Sequence, residues 1–218
     1  MKARILLAAI MAIGMASLSY GQERTTEEMQ TLFGNNDNKI DHGGYAAVSV
    51  GYTQIGGEDV MTLGGRAGWL IDHHVTVGLA GTAFMNSIYL DGYWPADQGF
   101  NEGYYLVGGY GGFFVEPIIA PNFPVHVSFP IMIGGGGLAL NENTWHDYDW
   151  EYDYYEPYDW DSYFVCEPGV EIELNVVKFF RVAFGVSYRF TSDLHMQYVP
   201  TDLMNGFSGA VSFKFGKF

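Results

Sequence analysis

Apolar residues alternate with small or charged residues along residues 178–190, "KFFRVAFGVSYRF". One set of alternate positions is apolar or aromatic: Phe180, Val182, Phe184, Val186, Tyr188 and Phe190. The other set is small or basic: Arg181, Ala183, Gly185, Ser187 and Arg189. Successive side chains of a β-strand point to opposite faces, so the segment predicts a strand with one continuous apolar face. Small and basic side chains on the reverse face are not typical of a soluble β-sandwich.

The two-residue period recurs along the chain and predicts eight strands, at residues 44–55, 58–71, 73–86, 103–118, 124–140, 164–177, 178–190 and 206–217. Each is at least as long as the roughly 9–11 residues that a tilted strand needs to cross a bilayer. The abundance of glycine and aromatic residues (29 Gly, 16 Phe, 16 Tyr and 5 Trp) favours the same all-β fold.

The connections between these strands alternate in length. Those after the second, fourth and sixth strands are short, and those after the third, fifth and seventh are long; only the first connection, at residues 55–57, departs from this order. Short turns at one end and long loops at the other are typical of outer-membrane barrels. Lipid admits only helices and closed barrels, because an open sheet edge leaves backbone groups unpaired. The pattern therefore predicts an eight-stranded antiparallel up-and-down transmembrane β-barrel in the bacterial outer membrane.

The first residues predict export. Lys2 and Arg4 precede an apolar run at residues 5–15, and small residues at 19–21 form a cleavage pattern, so residues 1–21 are expected to be a secretory signal peptide. Residues 22–43 form a polar, periplasmic N-terminal segment in this interpretation, and residues 44–218 form the barrel. Removing the signal leaves 8 basic and 25 acidic residues, a formal charge of −17. This charge excludes nucleic acid as a partner, because phosphates would be repelled.

The predicted inward faces carry four basic and four acidic side chains. They are Arg66, Arg181, Arg189 and Lys214 against Glu116, Glu167, Glu171 and Glu173. The interior of an eight-stranded barrel is narrow enough for side chains to fill it. Because burying an unpaired ion costs several kcal/mol, we expect these residues to form an ion-pair network in the lumen.

Residues 145–163, "WHDYDWEYDYYEPYDWDSY", combine seven acidic and nine aromatic residues with no Lys or Arg. Acids and rings alternate there, which predicts an extended extracellular hairpin with acids on one face and rings on the other. Rings provide contact area at low entropic cost and are enriched in recognition surfaces. We therefore expect a surface-interaction region for a cationic or divalent-bridged partner, at Asp147, Asp149, Trp150, Glu151, Tyr152, Asp153, Asp159 and Trp160.

With these features the chain resembles the small outer-membrane β-barrel proteins of Gram-negative bacteria, and most of all the "porin-like" barrels of the Bacteroidota. The resemblance covers residues 44–218 and is carried by "GGRAGWLIDHH", "EPIIAPNFPVHVSFP", "EPGVEIELNVVKFFRVAFGVSYRF" and the final Phe218. It implies contact with outer-membrane lipid and lipopolysaccharide, and recognition by the barrel assembly machinery through the strand that ends at Phe218. Phe213 and Phe215 are out of phase with Phe218, so this signal requires a bulge at Gly216 or a shifted signal.

Three possible chemical sites have less support in the sequence than a structural or surface-interaction role. His126 and Ser128 in "PVHVSF" resemble the His-x-Ser of lipid A deacylases, but they share the inward face and no acid is obviously placed to orient the histidine. The acidic hairpin lacks the turn glycine of an EF-hand loop, and the single Cys166 allows neither a disulfide nor a cysteine-based metal site. We expect no catalytic residue, metal or cofactor. A structural or surface-interaction barrel is favoured; a narrow channel for small solutes and a lipid-modifying enzyme are the alternatives.

Overall fold

The computed structural model describes residues 41–88, 104–142, 159–196 and 199–218. The expected signal peptide, nearly all of the polar segment at 22–43, and the tip of the acidic hairpin lie outside these residues. No helix in the described part of the chain has the length and hydropathy needed to cross a bilayer.

The described residues form one antiparallel sheet that closes into a ring. Its strands are β1 (His42–Ile55), β2 (Glu58–Ile71), β3 (Val75–Ile88), β4 (Tyr104–Ile119), β5 (Val125–Ser128), β6 (Ile131–Glu142), β7 (Asp159–Val177), β8 (Phe180–Thr191) and β9 (Gly206–Lys217). Consecutive strands pair as neighbours except β5 and β6, and β9 pairs with β1 to close the barrel. Closure leaves no free sheet edge along the wall, as a lipid-exposed sheet requires.

β5 and β6 occupy a single position in the ring, so the barrel has eight strand positions. Both lie between β4 and β7, and the register is continuous across the gap, from Ser128↔Glu171 to Ile131↔Pro168. Pro130 lies in the gap and has no amide hydrogen to donate. Its carbonyl still accepts from the amide of Gly169 at 2.8 Å, so the interruption is local. The predicted eight-stranded up-and-down fold is confirmed.

Side chains alternate between an apolar exterior and a mixed interior. Large apolar side chains such as Leu63, Phe113 and Val186 are exposed on the outside, with exposed fractions of 61%, 75% and 65%. Among the exterior-facing strand residues that the structure describes, charge occurs only at the two ends of the barrel, at Asp59 and Lys217. Water would not stabilise this exterior, whereas the hydrocarbon of a bilayer does.

The two ends of the barrel differ. One end carries the turns at residues 72–74, 120–124 and 178–179, where Asp72, His73 and Ala120 adopt positive φ. The other carries the tight turn at Gly56 and Gly57, the two connections outside the described residues, and the segment 192–205. Following the habit of outer-membrane barrels, we call these the periplasmic and extracellular ends.

Residues 192–196 and 199–205 fold back into the extracellular mouth. Leu194, Met196, Leu203 and Met204 are buried there and pack into one apolar cluster with residues of the strand ends, including Ile55. Asn205 holds the segment to β8 by accepting a hydrogen bond from the amide of Thr191 at 2.7 Å. We call residues 192–196 and 199–205 the mouth segment. It covers part of the barrel opening, and the two-residue period does not predict this packing.

Candidate functional site

The most organised polar site is a cluster of charged side chains in the periplasmic half of the lumen, which we call the lumen brace. It contains Arg66 from β2, Glu116 from β4, Glu171 and Glu173 from β7, Arg181 from β8 and Lys214 from β9. Each lies at an alternate, inward-facing strand position, as the two-residue period predicts. The structure therefore brings together six of the eight charged residues that we expected in the lumen.

Two ion pairs of the brace cross the full width of the barrel. The Lys214 ammonium lies 2.7 Å from a Glu116 carboxylate oxygen, and three strand positions separate β9 from β4 in either direction around the ring. An Arg66 guanidinium nitrogen lies 2.5 Å from Glu171, again between opposite strands, β2 and β7. These contacts join opposite walls, so side chains occupy the middle of the lumen at this level.

Lys214 is the centre of the brace. Its ammonium lies 2.7 Å from Glu116, 3.1 Å from Glu171 and 2.5 Å from Glu173, and its side chain is 1% exposed. Ligand oxygens of the three carboxylates lie within 4.8 Å of one another, a spacing that could hold a metal ion. The Lys214 ammonium already occupies the position between them. The brace thus carries its own cation.

Aromatic rings close the brace on its periplasmic side. The Phe218 ring lies 3.9 Å from the Arg181 guanidinium carbon and stacks against the Tyr45 ring, with 5.7 Å between centroids. The Tyr45 hydroxyl donates a hydrogen bond to Glu116. β9 keeps its register with β1 through Gly216, so no bulge turns Phe218 outward. The final aromatic side chain therefore covers the lumen brace, and the lipid-facing rings of this strand are Phe207, Phe213 and Phe215.

His126 and Ser128 belong to the brace and do not form a nucleophilic pair. The Ser128 hydroxyl donates to Glu116 at 3.1 Å, and His126 Nε2 lies 3.1 Å from Glu173. Both side chains are buried. Our expectation that no acid lies beside the histidine was wrong, because the β5–β7 register places His126 opposite Glu173. A serine hydroxyl bonded to a carboxylate instead of to the histidine lacks the base contact that activation requires.

Glu167 and Arg189 face the lumen but lie outside the brace. Glu167 accepts a hydrogen bond from the Ser187 hydroxyl at 2.6 Å, whereas Arg189 Nε donates to the carbonyl of Met204 at 2.6 Å. No ion pair within 4.0 Å joins either residue to another described residue, which differs from the continuous network that we expected. The reason is the mouth segment, whose carbonyl draws the guanidinium toward the extracellular end. Sequence alternation gives no signal for such a contact.

A cavity of about 120 Å³ lies in the lumen on the extracellular side of the brace, with Arg66 and Glu171 in its lining. Hydroxyl, carboxylate and guanidinium groups line it, together with apolar side chains; the polar lining includes Ser49, Arg66, Thr82, Glu167, Ser187 and Ser212. This volume has room for roughly four water molecules in a site that offers them several polar partners.

Only two of the expected surface-interaction residues are described. Asp159 and Trp160 begin β7 at the extracellular end, and Trp160 is 69% exposed. The remaining six, Asp147, Asp149, Trp150, Glu151, Tyr152 and Asp153, lie outside the described residues. The described base of the hairpin is regular, because β6 and β7 pair as far as Leu140↔Asp159.

Comparison with solved structures gives the fold class. The barrel is similar to Neisserial surface protein A, with a TM-score of 0.52 and 10% identity, over 83% of this chain and 100% of that chain. It also matches the N-terminal β-barrel domain of Pseudomonas aeruginosa OprF with a TM-score of 0.49 and 6% identity, over 82% of this chain and 99% of that chain. Ail of Yersinia pestis, in complex with a heparin analogue, matches at a TM-score of 0.46 and 9% identity, over 82% and 98% of the chains.

No protein-family model matches the chain. No curated protein matches it either. The fold likeness to Neisserial surface protein A and the apolar exterior agree with each other. The protein is a small transmembrane β-barrel of the outer-membrane type.

Proposed function

We propose that the protein is a structural and surface-interaction barrel of the outer membrane, which presents an acidic, aromatic hairpin to the cell exterior. The observation that carries this proposal is the lumen brace, whose Lys214–Glu116 and Arg66–Glu171 pairs join opposite walls. A lumen filled by paired charges leaves the hairpin and the other extracellular segments as the part available to partners. We further propose that the barrel belongs with the porin-like proteins of the Bacteroidota and is not an enzyme.

The proposed partner is a cationic surface or an anionic one bridged by divalent ions, such as lipopolysaccharide, surface polysaccharide or another envelope protein. Residues 145–163 have seven acids and no Lys or Arg, so this region produces a negative potential. Its nine rings supply contact area of the kind enriched at recognition surfaces. Assembly is proposed to use the lipid-facing Phe213 and Phe215 of β9, since Phe218 covers the lumen brace.

Binding of purified barrel to isolated cell envelope tests the recognition role. We expect the change of Asp147, Asp149, Glu151 and Asp153 to Asn or Gln to weaken binding at low salt, and chelator to weaken binding of the unchanged protein. The change of Trp150, Tyr152 and Trp160 to Ser tests the rings. Unchanged binding in both sets of variants would contradict a recognition surface of any kind.

A narrow channel is the second candidate, favoured by the lumen cavity of about 120 Å³, whose lining includes polar side chains such as Glu167 and Ser187. Planar-bilayer recording separates the two functions. The proposal predicts no discrete conductance steps from the unaltered protein, whereas a channel gives reproducible steps. Mass analysis of lipid A after exposure to the barrel tests the enzyme alternative, for which the proposal predicts no change.

A further inference from the structure

The lumen cavity lies beside a carboxylate that has no cation in contact with it. Glu167 faces inward on β7 and lines the cavity, and its carboxylate accepts a hydrogen bond from the neutral Ser187 hydroxyl at 2.6 Å. No described Lys, Arg or His side chain lies within 4.0 Å of this carboxylate. A charge held among side chains in a narrow lumen is costly unless it is paired. Glu167 therefore calls for a counter-charge.

The basic residues nearest to the lumen cavity are engaged elsewhere. Arg66 lines the cavity, but two carboxylates of the lumen brace lie 2.5 Å and 3.7 Å from its guanidinium. The brace is neutral by itself, because it contains three carboxylates and three basic side chains. Arg189 is held toward the extracellular mouth by the carbonyl of Met204 at 2.6 Å. The negative charge that remains at the lumen cavity is that of Glu167.

A proline leaves a backbone carbonyl at the wall of the lumen cavity without its ladder donor. The Gly169 amide donates to the carbonyl of Pro130 at 2.8 Å. Two residues paired in this way in an antiparallel ladder normally exchange both of their hydrogen bonds. Pro130 has no amide hydrogen to donate in return, so the Gly169 carbonyl lacks that bond. Both residues line the lumen cavity, and Gly169 lies two positions from Glu167 on the same face of β7.

Three hydroxyl groups complete an oxygen-rich lining. Ser49, Thr82 and Ser212 line the lumen cavity, and their hydroxyls have no side-chain hydrogen bond to another described residue. Ser49 Oγ and Thr82 Oγ1 both lie within 3.4 Å of the position that a Cβ of Gly64 would occupy, so the two hydroxyls face the same space. Ser212 lies opposite Ser49 in the β1–β9 register. Carboxylate, carbonyl and hydroxyl oxygens are the ligands that hard cations prefer.

We propose that the lumen cavity binds a monovalent alkali cation, sodium or potassium, between the Glu167 carboxylate and the hydroxyls of Ser49, Thr82 and Ser212. The Gly169 carbonyl is a further oxygen ligand. One carboxylate balances one positive charge, whereas a divalent ion would leave an excess positive charge in the lumen. This inference goes beyond the proposed surface-interaction function and does not depend on it.

Replacement of a small cation by a large one separates binding in the lumen cavity from screening of surface charges. The barrel is refolded in non-ionic detergent and unfolded by urea in mixtures of NaCl or KCl with N-methyl-D-glucamine chloride. The total salt concentration is held constant, so the screening of exposed charges does not change. N-methyl-D-glucamine is far larger than an alkali ion, and a cavity with room for roughly four water molecules cannot hold it.

Two variants show which carboxylate is responsible. Glu167→Gln removes the charge and keeps an oxygen that can accept the hydrogen bond from Ser187. Asp193→Asn is the matched control, because it removes an exposed carboxylate of the mouth segment. Crystals grown in rubidium chloride locate the ion directly by the anomalous scattering of rubidium.

We expect the urea midpoints of the unaltered barrel and of Asp193→Asn to rise together as sodium or potassium replaces N-methyl-D-glucamine, because a ligand that binds only the folded state stabilises it. The midpoint of Glu167→Gln should not change, and a rubidium peak should lie beside Glu167 in the unaltered protein. Midpoints that do not depend on the cation, a dependence that persists in Glu167→Gln, or the absence of a rubidium peak beside Glu167 would each overturn the proposal and leave the lumen cavity with water only. If Glu167→Gln fails to fold, the position of rubidium in the unaltered protein decides.

Discussion

At the scale of single residues, three basic side chains hold the lumen brace together. Arg66, Arg181 and Lys214 face inward as expected, and each contacts a buried glutamate. The partners depend on the tilt and closure of the barrel, which bring β9 opposite β4, and a single strand carries no record of this geometry. The same limit applies to Arg189, which bonds to the mouth segment.

Removal of Lys214 should be the most costly single change in the lumen brace. Lys214→Met leaves Glu116, Glu171 and Glu173 without their shared cation, although Arg66 and Arg181 keep their own contacts. Breaking one buried pair typically costs about 3–5 kcal/mol, so we expect a loss of at least about 3 kcal/mol in the free energy of unfolding. Urea unfolding in detergent micelles measures it.

Lys178→Met is the matched control, because Lys178 is exposed in the periplasmic turn between β7 and β8. A surface substitution of this kind usually changes the free energy of unfolding by less than about 0.5 kcal/mol. Similar losses in the two variants would show that Lys214 does not hold the brace together.

Asp41 and Lys217 form an exposed contact at the periplasmic end, outside the lumen. Lys217 Nζ donates to Asp41 at 2.7 Å and to the carbonyl of His42 at 2.9 Å. This hydrogen bond, together with the positive charge of Lys217, lowers the pKa of Asp41 below its ordinary value. The folded state therefore binds the Asp41 proton less tightly than the unfolded chain. The stabilisation is present above the unfolded pKa of about 3.9 and is lost as pH falls through the lower, folded pKa.

Lys217→Met should accordingly reduce stability slightly at pH 7 and much less below about pH 4. The measurement is the urea midpoint of both proteins across this range, at low salt. Because the contact is exposed, raising the salt concentration should shrink the difference at pH 7. A difference that persists unchanged at low pH would contradict the assignment to Asp41.

At the scale of elements, the two-residue period predicted all eight strand positions, but several predicted strand ends differ from those in the structure. The third strand begins at Val75, after Asp72 and His73 adopt the positive φ of a tight turn. The sixth predicted strand starts five residues earlier than expected, at Asp159, because the alternation of the acidic segment continues into β7. The interruption at Pro130 was also missed. The alternation of residue types indicates which face of the sheet a side chain lies on. Turn geometry and the missing amide hydrogen of proline determine where the hydrogen-bonded pairing of strands ends.

The glycine run at 134–137 has two structural roles that depend on the face. A Cβ at Gly136 would lie 2.5 Å from the Tyr163 ring and 2.7 Å from Tyr110 Cβ, so the inward glycine makes room for two tyrosines. A Cβ at Gly135, on the exterior, would have its nearest neighbour at 3.5 Å, the Tyr163 carbonyl oxygen.

Gly136→Ala should therefore destabilise the barrel and Gly135→Ala should not. Overpacking of a filled interior typically costs about 1–3 kcal/mol, and we expect a loss in that range for Gly136→Ala. The adjacent Gly135→Ala variant is the control and should stay within about 0.5 kcal/mol of the unaltered protein. Unfolding in urea and detergent compares the two. Equal losses would contradict this assignment, and a larger loss for Gly135→Ala would mean that the inward and outward faces of β6 are reversed.

At the scale of the whole molecule, the closed sheet and the apolar exterior follow from the sequence, because lipid requires both of any sheet that spans it. The position of the mouth segment, in contrast, could not be predicted from the sequence. Leu194, Met196, Leu203 and Met204 show no strand period, and their burial depends on the space that the strand ends leave at the mouth. The lumen thus has two different obstructions, a charged brace and an apolar segment at the extracellular mouth.

Two obstructions in series predict a specific pattern of conductance. Current through a pore is limited by its narrowest closed section, so opening one obstruction leaves the barrel closed. One double variant, Leu194→Ser with Met204→Ser, should loosen the mouth segment. A second, Glu116→Ala with Lys214→Ala, should remove a central ion pair of the brace, and neither residue of that pair is left as an unpaired charge. In planar bilayers we expect no steps from the unaltered protein or from either double variant alone. The quadruple variant should give steps, provided that heat-modifiable migration shows a folded barrel. Conductance steps from the mouth variant alone would mean that ions pass the lumen brace. That result would contradict the proposal of a filled lumen and support the channel function.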